Sequence, residues 1–333
     1  MQLQFRNIDI NDREIFDKYK KHWQIENAEM TFEHMYIWGA HGFVQLAEAM
    51  DCLYIKLRYA HEPALLLPPI PIDESVDYRS AVMLGKQYLE NKGDNVIFYS
   101  ICEPFIEMFE KNCPEFNLVE LREGWDYVYD SQNLITLKGK KYHSKRNFIN
   151  RLKLNHPDFQ YRAVTEDDYQ QCMDLYDKWH EEHIGKDIDQ YDERESVDRA
   201  LKNLTKLNLK SGAIFIDGEM KAFTVGGFVT DYMGHIHIEK ALNGIDGLYP
   251  AINQCFAAEN FQNTLYINRE EDMGLEGLRK AKESYYPVKM IKKYMAVLKN
   301  KCIYKNYTGF EILNSKREEE KKEAEEKVMC GEK

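Results

Sequence analysis

The sequence predicts a mixed α+β fold of two consecutive units, each with a mostly antiparallel central sheet flanked by helices. Its 333 residues are too many for one domain of roughly 150, and 44% of them are hydrophobic, enough for two cores. Both halves also interleave segments of period two, typical of strands, with amphipathic helical segments. We expect a first unit at 1–135, a basic linker helix at 136–157, a second unit at 158–300 and a charged tail at 301–333.

The first unit begins with a meander of short strands and continues with alternating helices and strands. Pro68, Pro69 and Pro71 end the meander, because proline lacks the N–H that a sheet needs. Gly93 predicts the end of a helix that starts at Tyr78. The predicted strands are 3–8, 43–49, 52–59, 64–67, 95–100, 116–121 and 125–129, and the predicted helices are 11–23, 31–38, 78–91 and one after Pro104.

The second unit repeats this order of elements, although no residue-level similarity between the halves is visible. Asp217-Gly218 predicts the turn of a hairpin, and Gly226-Gly227 predicts a bulge or a close approach of the backbone to a ligand. The predicted strands are 159–164, 213–216, 222–229, 235–239, 264–267 and 287–298, and the predicted helices are 166–183, 193–208, 248–261 and 274–284. Residues 315–333 alternate Glu and Lys and predict a solvated helix or a disordered tail.

Composition excludes several classes of protein. No segment approaches the roughly 18 apolar residues of a membrane span, and the start is charged, so we expect a soluble, cytoplasmic protein. The seven cysteines are scattered without a Cys-x-x-Cys pair, which predicts reduced thiols and no metal site. A net charge of −11 argues against DNA as a partner. The motifs of serine hydrolases, P-loop NTPases, dinucleotide-binding dehydrogenases and zinc proteases are missing from the sequence.

One segment reverses the sign of this charge. Between residues 138 and 153 there are seven cations and no carboxylate: Lys138, Lys140, Lys141, Lys145, Arg146, Arg151 and Lys153. Phe148, Ile149 and Leu152 lie between them at helical spacing, with Ser144 as a plausible cap. The segment is either a solvated basic helix or a surface for a polyanion. On the second interpretation, Lys141, Lys145, Arg146 and Asn147 are candidate substrate-binding residues.

Two runs of sequence resemble a known family. They are LKGKKYHSKRNFINRL at 137–152 and INREEDMGLEGLRKAKESYYPVKM at 267–290, and they resemble soluble bacterial relatives of the phosphatidylglycerol lysyltransferase C-terminal domain. The resemblance covers about residues 5–298. It implies two tandem GNAT acyltransferase folds, related to the Fem-type transferases that move amino acids from aminoacyl-tRNA. The membrane-embedded part of the lysyltransferases is absent from the sequence, which leaves a lipid acceptor without support.

The resemblance implies a site where two central strands part. The strand at 235–239 leads towards Gly244 and Gly247, which flank the start of a helix. Exposed N–H groups at such a helix start can receive phosphates, so both glycines are candidate cofactor-binding residues, although an ordinary turn is the alternative. The loop departs from the usual CoA-binding pattern, which favours a different acyl carrier.

Titratable side chains of the same region supply candidates for catalysis. Alternation along the strand places His235, His237 and Glu239 on one face, and either Glu239 or His237 is the expected base, unless this face is only polar lining. Lys289 is loosely similar to a lysine that Fem-type enzymes place near the reacting carbonyl, where its charge would stabilise an oxyanion. The alternative for Lys289 is protection of a strand edge.

Asn268, Arg269 and Glu270 follow the next strand and are candidate substrate-binding residues. Arg269 would hold a carboxylate or phosphate of the substrate, while the acids beside it would bind the ammonium group of an aminoacyl donor. The alternative is a structural ion pair.

Together these features predict an acyltransferase without a tightly bound cofactor. Its co-substrate would be aminoacyl-tRNA or acyl-CoA, and its acceptor an amine or a hydroxyl. The alternatives are a non-catalytic tandem-GNAT protein that binds RNA or a small ligand, and an ordinary CoA-dependent N-acetyltransferase. The sequence gives no indication of the oligomeric state.

Overall fold

The computed structural model describes residues 2–58, 63–183 and 193–299. The predicted tail at 301–333, with Cys302 and Cys330, lies outside these residues. Within them the predicted fold class is confirmed: a mixed α+β fold with two mostly antiparallel sheets flanked by helices. Among the described helices, none has the length and apolar character needed to cross a bilayer.

The elements follow the predicted order in both halves. The first half contains β1 (Arg6–Asn7), α1 (Arg13–Lys20), α2 (Phe32–Ile37), β2 (Val44–Ala49), β3 (Cys52–Leu57), β4 (Leu65–Leu66), β5 (Ile70–Pro71), α3 (Tyr78–Lys92), β6 (Ile97–Ile101), α4 (Phe105–Asn112), β7 (Phe116–Glu120) and β8 (Asp126–Asp130). The second half contains α5 (Ser131–Thr136), α6 (His143–Asn155), β9 (Gln160–Arg162), α7 (Tyr169–Glu181), α8 (Arg194–Lys202), β10 (Lys210–Ile216), β11 (Glu219–Thr230), β12 (Met233–Ala241), α9 (Leu248–Asn260), β13 (Tyr266–Asn268), α10 (Glu276–Glu283), β14 (Lys289–Ile291) and β15 (Tyr294–Leu298).

Local sequence signals explain several element ends. The Thr31 side chain accepts a hydrogen bond from the His34 N–H and caps α2. Gly93 ends α3 in the left-handed conformation, as its position in the sequence predicts. The Gly226 prediction is also confirmed: the register of β11 against β12 shifts between Val225 and Gly226, and a Cβ on Gly226 would clash with the His235 carbonyl.

The two sheets exchange strands. The first has the order β1-β2-β3-β4-β6-β15-β7, with β5 beside β3, and the second has the order β14-β8-β13-β12-β11-β10-β9. Thus β15, from the end of the described chain, lies between β6 and β7 of the first sheet, while β8, from the first half, lies between β13 and β14 of the second. The single strand predicted at 287–298 is therefore wrong: it is two strands in different sheets.

The core is shared in the same way. One hydrophobic cluster contains buried residues of both sheets, among them Phe98 of β6, Val128 of β8 and Phe223 of β11. A second cluster packs α5, α6 and α9 against the second sheet through residues such as Ile149, Leu152 and Phe256. The shared cluster packs the two sheets against each other, and the cavity described next lies between them.

Candidate active site between the two sheets

The central strands of the second sheet part within the molecule. β12 and β13 run parallel and pair at only three positions, the last being His235 with Asn268. Beyond that pair β12 continues to Ala241, whereas β13 has ended. The gap exposes the edge of β12 from His237 onward, where the sequence analysis expected two strands to part.

A cavity of about 620 Å³ opens at this gap. Its walls come from both halves of the chain, with apolar side chains such as Trp38, Ile97 and Leu278 beside charged ones. The acidic side chains on the walls are Glu29, Glu123, Glu193, Glu239, Glu270 and Glu271, and the basic ones include Lys145, Lys240, Arg269 and Lys282. A cavity of this size with convergent charged groups is typical of a small-molecule site.

Glu239 and Arg269 form a buried ion pair across the gap. Arg269 Nη2 lies 3.0 Å from Glu239 Oε1, and the Asn253 amide donates to the other carboxylate oxygen at 3.0 Å. The guanidinium also lies 4.8 Å from the centre of the Tyr285 ring. Burial alone would lower the pKa of Arg269, but the Glu239 carboxylate together with Tyr129 and Tyr285 outweighs burial and raises the pKa. The cation is therefore fixed and charged at the cavity wall.

Three histidines surround one oxygen of Glu270. Glu270 Oε1 lies 2.8 Å from His235 Nε2, 3.2 Å from His34 Nδ1 and 4.0 Å from His237 Nδ1. The rings of His235 and His237 have centres 3.8 Å apart, which confirms that they share a face of β12. Burial would raise the pKa of Glu270, but hydrogen bonds from His235 and His34 hold it well below its usual range.

The pKa values of His237 and His34 are shifted in opposite directions. Burial lowers the pKa of His237 well below its ordinary value, reinforced by the neighbouring His235. For His34, burial also lowers the pKa, but the hydrogen bond and charge of Glu270, together with the charges of Glu29 and Glu271, outweigh burial and raise the pKa.

A second cluster of charged side chains, around Lys293, lies beside the Glu270 cluster. The fully buried Lys293 ammonium lies 2.7 Å from Asp126, 3.3 Å from Glu29 and 3.9 Å from Glu271. Burial raises the pKa of Glu271 to about 7. Three carboxylates around one cation leave this corner of the cavity with an excess of acidic groups.

The turn after β13 is held tightly. The Glu270 N–H donates to Asn268 Oδ1 at 2.8 Å, and Glu270 itself adopts a left-handed conformation with φ of 57°. Lys282, from α10, donates to the backbone carbonyls of Arg269 and Glu270. Burial lowers the pKa of Lys282 to about 8. These bonds fix the direction in which the side chains of Arg269 and Glu270 point.

The structure brings some predicted site residues together. His237, Glu239, Arg269, Glu270 and Lys145 all line the cavity. Lys145 lies on its rim, where its ammonium donates to Ser284 Oγ at 2.8 Å and lies 4.1 Å from the centre of the Tyr285 ring.

The other predicted residues lie elsewhere. Lys289, on β14, is ion-paired with Glu26 outside the cavity lining. Asn268 is buried and its amide donates to Asp126 at 2.9 Å. The remaining candidates lie on or beside α6: Lys141 stacks near the Tyr142 and Tyr286 rings, Arg146 donates to the carbonyls of Leu137 and Gly139, and Asn147 contacts His143 on the surface.

The two glycines predicted to bind phosphate are also outside the cavity lining. Gly247 caps α9 with φ of 95°, and a Cβ there would lie 2.5 Å from the Phe148 carbonyl of α6. Gly244 has open space around its Cα. The start of α9 is thus packed against α6, and Pro250 in its first turn has no N–H to offer.

Sequence reasoning missed His34, Glu29 and Lys293 as parts of the site. His34 is 236 positions from Glu270, and nothing in its surroundings on α2 distinguishes it from a surface histidine. Glu271 and Lys282 belong to the run at 267–290, where Glu271 counted only among the acids beside Arg269 and neither residue was named as part of the site.

Comparisons with known proteins agree with this fold. The family model described as "Phosphatidylglycerol lysyltransferase, C-terminal" matches residues 21–297. A crystal structure of a protein of unknown function from Bacteroides thetaiotaomicron is 34% identical, covers 90% of this chain and 100% of its own, and has a TM-score of 0.80. L-PGS from Bacillus licheniformis is 18% identical, with 89% and 93% covered and a TM-score of 0.62, and supports the fold alone.

A more distant relative covers only part of the chain. An uncharacterised protein of Mycoplasmoides gallisepticum is 24% identical over 175 residues, which is 51% of this chain and 55% of that protein. The chain thus matches about half the length of that relative. The family model, in contrast, extends over both sheets and the cavity between them. The chain belongs to the family of the phosphatidylglycerol lysyltransferase C-terminal domain.

Proposed function

We propose that this protein is an acyltransferase that moves an aminoacyl group from aminoacyl-tRNA to an amine or hydroxyl acceptor in the cavity between the sheets. One observation carries the proposal: β12 and β13 part at a cavity of about 620 Å³ where Arg269, Glu239 and Glu270 converge. Family membership supports acyl transfer as the class of reaction. The lysyl group and lipid that the family's name specifies are not part of the proposal.

The acidic walls favour an aminoacyl donor over an acetyl donor. Glu29 and Glu271 lie together on the cavity wall, and Glu271 has a buried oxygen without a hydrogen-bond partner. An aminoacyl ester carries an ammonium group that such carboxylates can bind, whereas an acetyl group has no charge to offer them. Glu29, Glu271 and Asp126 share a single cation, Lys293, so a cationic ligand would offset their excess negative charge, whereas an acetyl group would not.

Arg269 suits the developing charge of acyl transfer. The acceptor nitrogen or oxygen attacks the ester carbonyl, and the carbonyl oxygen becomes an oxyanion. When the tetrahedral intermediate collapses, the bond to the ribose oxygen breaks, the acceptor has lost a proton and the ribose hydroxyl has gained one. A fixed cation beside the oxyanion stabilises it, and the Glu239 carboxylate holds the guanidinium in place.

The body of the donor would lie along α6. Lys145 reaches the cavity rim from this helix, while Lys138, Lys140 and Lys153 are exposed around it. A tRNA acceptor stem on this surface would place its 3′ end at the rim. The start of α9, where a GNAT enzyme would receive phosphates, packs at Gly247 against Phe148 of α6, and Pro250 in its first turn lacks an N–H, which disfavours CoA.

The first test is transfer itself. Purified protein would be incubated with bulk tRNA charged with labelled amino acids and with a total small-molecule and lipid extract as acceptor source. We expect label to move from tRNA into an extract component. Glu239→Gln and Arg269→Gln should lower kcat about 10²- to 10³-fold while tRNA affinity changes only a few-fold. Arg79→Gln, which breaks the surface pair with Glu115, is the matched control and should leave kcat unchanged.

Two results would contradict the proposal. One is transfer by Glu239→Gln and Arg269→Gln at the wild-type rate, because the cavity would then not be the site. The other is absence of transfer together with a stabilising thermal shift in acetyl-CoA, which would make the protein a CoA-dependent enzyme.

A further inference from the structure

Three segments that are far apart in sequence place metal-binding side chains at one point. His34 comes from α2, His235 and His237 from β12, and Glu270 from the turn after β13. One potential ligand atom of each lies within 4.8 Å of every other. Imidazole and carboxylate side chains, which bind metal cations, therefore meet here from both halves of the chain.

The cluster leaves polar atoms unsatisfied. His235 Nδ1 and His237 Nδ1 are buried without a hydrogen-bond partner, and the two side chains are 0% and 1% exposed. Glu270 Oε1 is the common neighbour of all three rings. A buried polar nitrogen without a partner destabilises the fold. Two such nitrogens beside a third imidazole and one carboxylate are therefore costly unless the cluster has a ligand.

We propose that His34, His235, His237 and Glu270 bind a divalent first-row transition-metal ion such as Zn²⁺. Imidazole nitrogens with one carboxylate are ligands that such ions accept, whereas Mg²⁺ and Ca²⁺ take oxygen ligands. Zinc bonds of about 2.0–2.2 Å require donors roughly 3–4 Å apart, so the most distant pair has to approach by about an ångström. The ring of His237, which is farthest from Glu270, would make this movement.

Residues around the histidine cluster hold its carboxylate in position and leave one side of the cluster facing the cavity. Glu270 is fixed through its backbone by Lys282 and Asn268, so the carboxylate points at the rings. His34 and Glu270 are 14% and 17% exposed and line the cavity, so one side of a bound ion would face the cavity. Four protein ligands complete the tetrahedral coordination that is typical of structural zinc, so a ligand from the cavity would be a fifth. The metal site does not depend on the nature of the acyl donor.

The experiment uses the full chain without an affinity tag, stripped of metal with a chelator and then titrated with Zn²⁺ and with Co²⁺. We expect about one Zn²⁺ per chain by calorimetry and metal analysis, a rise in Tm with Zn²⁺, and visible d–d absorption of the Co²⁺ form. His34→Asn and Glu270→Gln each remove one ligand and should weaken Zn²⁺ binding at least about 100-fold. His22→Gln changes an exposed histidine outside the cluster and should bind as the wild type does.

Circular dichroism and Tm of the metal-free variants establish that they are folded. The proposal is overturned if the stripped wild type takes up no stoichiometric ion, or if folded His34→Asn binds Zn²⁺ as tightly as the wild type. The Co²⁺ spectrum gives an independent answer from the unmutated chain, since Co²⁺ without protein nitrogen ligands keeps the weak absorption of the hydrated ion.

Discussion

Individual side chains in this protein are placed by partners that their local sequence does not specify. Lys293 follows a short strand and resembles an ordinary edge lysine, yet it is fully buried among Asp126, Glu29 and Glu271. Glu239 and Arg269 could be named from the sequence because Glu239 shares a face of a predicted strand with His235 and His237, and Arg269 follows the next strand. His34 could not, because its partner Glu270 is supplied by the other half of the chain.

Asp168 gives a pH-dependent prediction at this scale. Arg162 donates to both of its oxygens at 2.6 and 2.7 Å, and these bonds, with those from Thr165, lower its pKa to about 2. The unfolded value is about 3.8, so the native carboxylate contributes stability above that pH and loses it as the pH falls towards 2. Asp168→Asn should cost about 1–2 kcal/mol at pH 7, discounted for the half-exposed Arg162.

Urea denaturation at pH 7, 4 and 3 measures this effect. The stability gap between wild type and Asp168→Asn should narrow between pH 4 and 3, while Asp167→Asn, at the exposed neighbouring position, should track the wild type throughout. A gap that stays constant over this range would show that the Arg162 pair does not set the titration of Asp168.

At the scale of elements, α6 shows how much a pattern predicts. Its helical spacing is confirmed, with Ile149 and Leu152 buried, although the helix begins at His143 rather than after a cap at Ser144. The pattern could not say where each cation points. Lys145 reaches the cavity rim, Arg146 binds the backbone that ends α5, and Arg151 lies 3.6 Å from Asp246.

Because the cations of α6 make different contacts, the proposed tRNA-binding surface on this helix can be tested by substitution. Lys141→Glu with Lys145→Glu should weaken binding of bulk tRNA and reduce its salt dependence, because fewer counterions are released when fewer phosphates are contacted. Filter binding over a salt series would measure both quantities, and the slope of log K against log salt should fall by about 1–2. The same charge change on α3, Lys86→Glu with Lys92→Glu, is the control and should leave the slope unchanged. An unaltered slope in the α6 variant would exclude this surface.

The strand predicted at 287–298 shows a limit of the same method. Alternation of apolar and polar residues predicts a strand in either sheet equally well, so the pattern cannot show that the chain leaves one sheet and enters the other at Lys292 and Lys293. The exchange depends on tertiary partners, Glu120 and Ile101 for Tyr294 and Val128 for Lys289.

For the whole molecule, the repeated element order predicted two sheets correctly but not their connection. The boundary expected near residue 135 falls after β8, whose neighbours in the sheet are β13 and β14. The predicted domain limits remain a description of element order along the chain. In space, each sheet contains a strand from the other half, and the largest hydrophobic cluster spans both.

This arrangement predicts that the two sheets unfold together. Differential scanning calorimetry should show a single transition whose calorimetric and van't Hoff enthalpies agree, in spite of the length of the chain. Limited heating followed by proteolysis should release no stable half. Two separate transitions would mean that the exchanged strands contribute little to coupling between the halves.

The position of β15 has a consequence for synthesis. The gap between β6 and β7 is filled by residues 294–298, so these two strands leave the ribosome without their common neighbour and lack it until residues 294–298 have been made. Unpaired strands invite association with other chains. Chaperone demand should therefore be highest just before residues 294–298 leave the ribosome.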